Sequence, residues 1–122
     1  AAAEATIGVL LDEGLIDNAA ARGRQLIEGL REIQGRFPAL GDVRGLGLMI
    51  GCEFVNPDTG EPDGQLVNTI LRHAREEGRL LLLPCGTYGN VVRWIPPLVV
   101  TDRQIAEALD TFEEAMSASV RP

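Results

Sequence analysis

The stretch LLLLPCGTYGNVVRWIPPL, Leu80 to Leu98, holds two short apolar runs, a glycine-bearing turn between them, and one arginine inside the second run. The first run, Leu80 to Leu83, is continuous, which is the pattern of a buried strand. PCGTYGN turns the chain and Val91 to Ile95 returns as a second strand. Pro96 and Pro97 end that strand, because neither can donate to a ladder. Arg93 interrupts the apolar pattern, sharing a face with Val91 and Ile95 while Val92 and Trp94 take the other. Its guanidinium is always charged and costly to desolvate, so it calls for a carboxylate or a comparable partner.

Upstream, VRGLGLMIGCEFV (43–55) has a period of two and predicts one further strand. Leu46, Leu48, Ile50, Cys52 and Phe54 would face one way, and Gly45, Gly47, Met49, Gly51 and Glu53 the other. Three glycines on one face make a smooth surface that a backbone or helix can approach closely. The spacing G-x-G-x-x-x-G is not a dinucleotide fingerprint, since a strand continues where a helix would have to open. NPDTGEPD (56–63) is turn chemistry. Asp63 caps a helix running to about Glu77 on the apolar side chains Leu66, Val67, Ile70, Leu71 and Ala74, with Gly78 as its C-terminal glycine.

Helices fill both ends of the chain. Residues 1–14 read as helix with Ile7, Leu10 and Leu11 on one face. No capping residue precedes it, as in the remnant of a longer helix. Asp17 is a candidate N-cap for a second helix, striped by Leu26, Leu30, Ile33 and Phe37 and stopped by Pro38. Thr101 and Gln104 form a capping box for the last helix, whose stripe is Ile105, Leu109, Phe112 and Met116. The expected order is helix, helix, strand, helix, strand, strand, helix. That is an α+β fold: a small, mostly antiparallel sheet with helices packed mainly on one face.

Several chemistries are excluded early. The 122 residues carry 18 acidic and 11 basic side chains, a net charge of −7, which argues against a nucleic-acid partner. All the basic residues are arginines. Without a lysine the chain can form neither a Schiff base nor a P-loop. His73, the only histidine, lies beside an apolar stripe, and Cys52 and Cys85 have no metal or redox spacing. No apolar run reaches membrane-spanning length, and the start has no signal-peptide pattern, so a cytoplasmic setting with reduced thiols is expected. Arg93 remains as the functional candidate. By pattern alone an internal ion pair is favoured over a clamp on a ligand carboxylate. Trp94 and Tyr88 are candidates to line a pocket beside it.

The segments VRGLGLMIGCEF (43–54) and EEGRLLLLPCGTYGNVVRWIPPLVVTDRQIAEALDTFEEAM (76–116) together resemble the C-terminal small domain of class III aminotransferases, most closely the 4-aminobutyrate type. DEGLIDNAAARGRQLIEGL (12–30) is similar to the family's lead-in to that domain. The resemblance implies residues 1–16 as a truncated lead-in from a large domain and residues 17–122 as the small domain. It implies transfer of an amino group from 4-aminobutyrate or a similar donor to 2-oxoglutarate, with Arg93 gripping the substrate's α-carboxylate and no catalytic residue in this chain. It further implies pyridoxal 5′-phosphate in the full-length enzyme, held elsewhere, and a homodimer or homotetramer. A stand-alone carboxylate-binding or dimerisation module is the competing expectation.

Overall fold

The computed structural model describes residues 1–120. Along the chain run α1 (Ala2–Asp12), α2 (Leu15–Gln34), β1 (Leu40–Leu46), β2 (Met49–Phe54), α3 (Gly64–Glu76), β3 (Leu83–Cys85), β4 (Val91–Trp94) and α4 (Asp102–Ser119). The strands form one antiparallel sheet in the order β1-β2-β4-β3. Leu26, Leu30 and Ile33 from α2, Val67, Ile70 and Ala74 from α3, and Ile105, Phe112 and Met116 from α4 meet Val43, Ile50, Cys52, Phe54, Val92 and Trp94 on one face of the sheet. Phe112 anchors that core, its ring edge-on to Trp94 at 5.2 Å and to Phe54 at 6.5 Å. Each such fully buried side chain contributes about 1.5–3 kcal/mol. The α+β architecture with one covered sheet face is therefore as expected, and so are the Asp63 cap and the Thr101–Gln104 capping box.

Four local expectations are corrected. Residues 43–55 are not one strand but parts of a hairpin, in which Leu46 pairs with Met49 and Gly47 turns the chain at φ +56°. A two-residue turn of this kind needs a positive φ. Past a bulge after the buried Leu40, core-facing positions are odd in β1 (Val43, Gly45) and even in β2, and Gly45, having no side chain, hid the change of phase. Leu46 consequently lies on the open face, 89% exposed. Gly45 and Gly51 fall on opposite faces, so the glycines do not make one smooth surface. The close approach occurs instead at the turn, where a Cβ on Gly23 of α2 would lie 2.2 Å from the Gly47 carbonyl oxygen.

Asp17 does not cap α2. Gly14, at φ +65°, separates the first two helices, and α2 begins at Leu15 with Asp17 inside its first turn, where a carboxylate complements the helix dipole. Leu80–Leu83 is not a buried strand either: pairing starts only at Leu83, on the sheet edge, and Leu81 is 78% exposed. Pro84 within β3 suits an edge, where its missing donor costs nothing. Finally, the left-handed residue after α3 is Arg79 (φ 55°), not Gly78. Gly78 serves packing, since a Cβ there would meet the Thr111 methyl at 2.1 Å.

Candidate carboxylate-binding site

Among the described residues the sheet's second face carries no helix. Pairing sets its rows: Arg44 opposite Gly51 and Gly51 opposite Arg93, with Leu83 beyond; then Asp42 opposite Glu53 and Glu53 opposite Val91, with Cys85 beyond. Leu46, Met49, Leu83 and Ile95 are exposed around these rows. Arg93 thus stands mid-sheet between Gly51, which has no side chain, and Leu83, with Glu53 on its diagonal. Its strand is aimed by the preceding turn, where Gly86 (φ 84°) and Gly89 (φ 64°) reverse the chain. Asn90, 3% exposed, then locks the turn to β2. Its side-chain amide donates to the Phe54 carbonyl at 3.0 Å, and the Phe54 N–H donates to the Asn90 carbonyl at 2.7 Å. Two reciprocal bonds in a buried place fix the start of β4, and with it the direction of Arg93.

Among the described residues no carboxylate lies within ion-pair distance of Arg93, and its guanidinium makes no hydrogen bond. The internal pair favoured by pattern alone is absent, because Arg93 is exposed and meets no desolvation cost that would demand one. The carboxylates on this face are engaged elsewhere. Arg44 Nη1 holds Asp42 at 2.5 Å and Glu53 at 2.6 Å. The hydrogen bonds it donates to Asp42 and Glu53 push the Arg44 guanidinium above its ordinary pKa. An open guanidinium fork on a rigid strand can take a carboxylate bidentately.

The other candidates separate from this site. Trp94 is in the core, its Nε1 without an acceptor among the described residues. Burial pushes the Cys52 thiol up to about 12, partly offset by that indole, although their contact falls short of hydrogen-bond geometry. Tyr88 is exposed on the turn. His73 hydrogen-bonds Glu77 at 2.8 Å on the far side of α3. No group of His, Cys, Asp and Glu among the described residues could hold a metal ion, and no helix there is long and apolar enough to cross a membrane. Asn90, Arg44 and Glu53 were not singled out from the sequence. The G-N that ends the turn was a usable signal for Asn90, whereas the Arg44–Glu53 pairing depends on a register that only the hairpin reveals.

The family model for class-III aminotransferases matches residues 1–116. The chain is 45% identical over 117 residues to the 5-aminovalerate aminotransferase of Pseudomonas putida, covering 96% of this chain and 27% of that protein. It is 40% identical to the 4-aminobutyrate aminotransferase of Escherichia coli, over 93% of this chain and 26% of the relative. An alanine/serine racemase of Pyrococcus horikoshii is 44% identical over 95% of this chain and 24% of its own length. A Bacillus anthracis aminotransferase of known structure superposes with a TM-score of 0.82 at 34% identity, over 90% of this chain and 26% of that one. The chain therefore spans about a quarter of the length of the relatives it matches. Class III aminotransferases in general depend on pyridoxal phosphate, but this chain has no lysine amine with which to bond that cofactor. Fold and comparisons agree: the chain belongs to the class-III aminotransferase family.

Proposed function

We propose that this chain is the small domain of a longer aminotransferase and that Arg93 binds the α-carboxylate of its substrate 2-oxoglutarate. The enzyme would move an amino group from 4-aminobutyrate, or an ω-amino acid such as 5-aminovalerate, to 2-oxoglutarate. The observation that carries the reading is the unpaired guanidinium of Arg93 on the open sheet face, opposite Gly51. 2-Oxoglutarate bears a carboxylate beside its reacting carbon, and a planar fork fixes such a group in both position and rotation. Residues 1–16 would be a lead-in from a large domain and 17–122 the small domain. In support, α1 buries none of its residues and leaves Ile7, Val9 and Leu11 exposed, as a helix does whose apolar side is covered by something else.

Pyridoxal phosphate supplies the electron sink for amino-group transfer. With no lysine here, its attachment would fall to the remainder of the enzyme. This domain's share is binding and orientation: Asn90 holds the turn, β4 holds Arg93, and Arg93 holds the substrate carboxylate. The assembled enzyme would be a cytoplasmic homodimer or homotetramer acting on amino and keto acids.

Activity assays test the assignment. The complete polypeptide should convert 4-aminobutyrate or 5-aminovalerate and 2-oxoglutarate to the donor's semialdehyde and glutamate, and the 122-residue chain should not. Failure of the complete polypeptide with every ω-amino donor would overturn the reaction. Because Arg93 is already open in this chain, a stand-alone carboxylate-binding module is the second reading. Tight binding of glutarate by the chain alone, lost in Arg93→Met, would favour it.

A further inference from the structure

We infer that Arg44 is a positioning residue that keeps Glu53 off Arg93, so that Arg93 stays open for a ligand carboxylate. The inference rests on the carboxylate role proposed for Arg93 and deepens it. Glu53 lies directly opposite Asp42 on one side and Val91 on the other, while Gly51, two residues before it, lies between Arg44 and Arg93. Glu53 is therefore the diagonal neighbour of both arginines on one sheet face. Diagonal partners are about 7–8 Å apart, within reach of long side chains. Glu53 takes Arg44, at 2.6 Å, and leaves Arg93 without a carboxylate.

Two features bias that choice. Asp42 binds the same Arg44 nitrogen at 2.5 Å, so the guanidinium is held on the β1 side by a second carboxylate. Arg44 also lies between two like charges that face each other across the strands, an arrangement that repels when uncompensated. Removing Arg44 would leave Asp42 and Glu53 mutually repulsive, with Arg93 as the cation of this face within diagonal reach of Glu53. Glu53 would turn to it and compete with any ligand. Gly51 contributes by standing between the arginines with no side chain to block either one.

The test reads Arg93 directly. The Nε–H resonance of Arg93 is followed by NMR in the 122-residue chain as wild type, Arg44→Met and Arg44→Met/Glu53→Gln. Arg44→Met should move the Arg93 resonance downfield and slow its exchange with water about two- to fivefold, the range of an exposed ion pair. Adding Glu53→Gln should return it to the wild-type position. Loss of a merely structural cross-link would not move Arg93 in a way that depends on Glu53. Should Arg44→Met fail to fold, Arg44→Gln keeps an amide donor while dropping the charge, and the same shifts are expected. In the complete enzyme Arg44→Met should raise KM for 2-oxoglutarate about two- to fivefold with kcat unchanged, and Glu53→Gln should reverse it. An Arg93 resonance unmoved by Arg44→Met or Arg44→Gln overturns the inference, whatever Arg93 binds. The carboxylate role itself is decided separately, by substitution of Arg93.

Discussion

Gly23→Ala puts a Cβ 2.2 Å from the Gly47 carbonyl oxygen, 2.5 Å from its carbonyl carbon and 2.7 Å from its Cα. All three are backbone atoms of the β1–β2 turn, so no side chain can rotate away. Restoring ordinary contact requires α2 and the hairpin to separate by about 1 Å. That shift opens the packing of Leu26 and Leu48, both buried beside it. Overpacking of this kind costs about 1–3 kcal/mol, and the better helix propensity of alanine returns up to about 1 kcal/mol. A net loss of about 1–2 kcal/mol is expected. Gly8→Ala in α1 is the control, because nothing lies within 4 Å of its added Cβ, and it should gain a few tenths to 1 kcal/mol. Urea unfolding separates the two: at the usual m of about 1–3 kcal/mol/M, their midpoints should differ by about 1 M. The hairpin also carries Gly51 and Glu53, so the loss should be accompanied by altered resonances on the open face. Equal midpoints for the two variants, or a more stable Gly23→Ala, would refute the close packing of α2 on the turn.

Two further outcomes follow from single residues. The Cys52 thiol is pushed up to about 12 when folded, chiefly by burial. The unfolded thiol ionises first, so its contribution to stability is whole below about pH 9 and falls as pH rises towards 12, by about 1 kcal/mol at pH 10. Urea midpoints at pH 8 and pH 10 should therefore diverge more in wild type than in Cys52→Ala, and equal divergence would contradict the buried thiol. Arg79→Gly, at φ 55°, should raise stability by about 0.5–1 kcal/mol through relief of left-handed strain. A lower melting temperature for it would show that the Arg79 side chain holds the α3–β3 connection.

The stripes of α3 and α4 and the caps at Asp63 and Thr101 were legible from the amino-acid order because they are local: Asp63, Thr101 and Gln104 each act within three residues. The alternation Val92–Trp94 against Arg93–Ile95 was equally readable. Positions decided by the third dimension were not. Leu80–Leu83 looks buried because its composition is, yet among the described residues no strand lies beyond β3 to cover the edge. The hairpin in 43–55 was masked by Gly45, whose missing side chain allows a change of phase to pass as unbroken alternation. The same omission concealed the site's electrostatics. Until Asp42, Arg44 and Glu53 are in register, nothing shows that the nearby carboxylates are already taken and that Arg93 has none.

The central claim is that Arg93 binds the substrate carboxylate, and steady-state kinetics of the complete enzyme with Arg93→Met test it most directly. A charge-assisted bidentate contact is worth about 1.5–3 kcal/mol. KM for 2-oxoglutarate should rise ten- to a hundredfold, roughly, with Arg93→Lys recovering only part of the loss. An unchanged KM for 2-oxoglutarate in Arg93→Met would contradict the account.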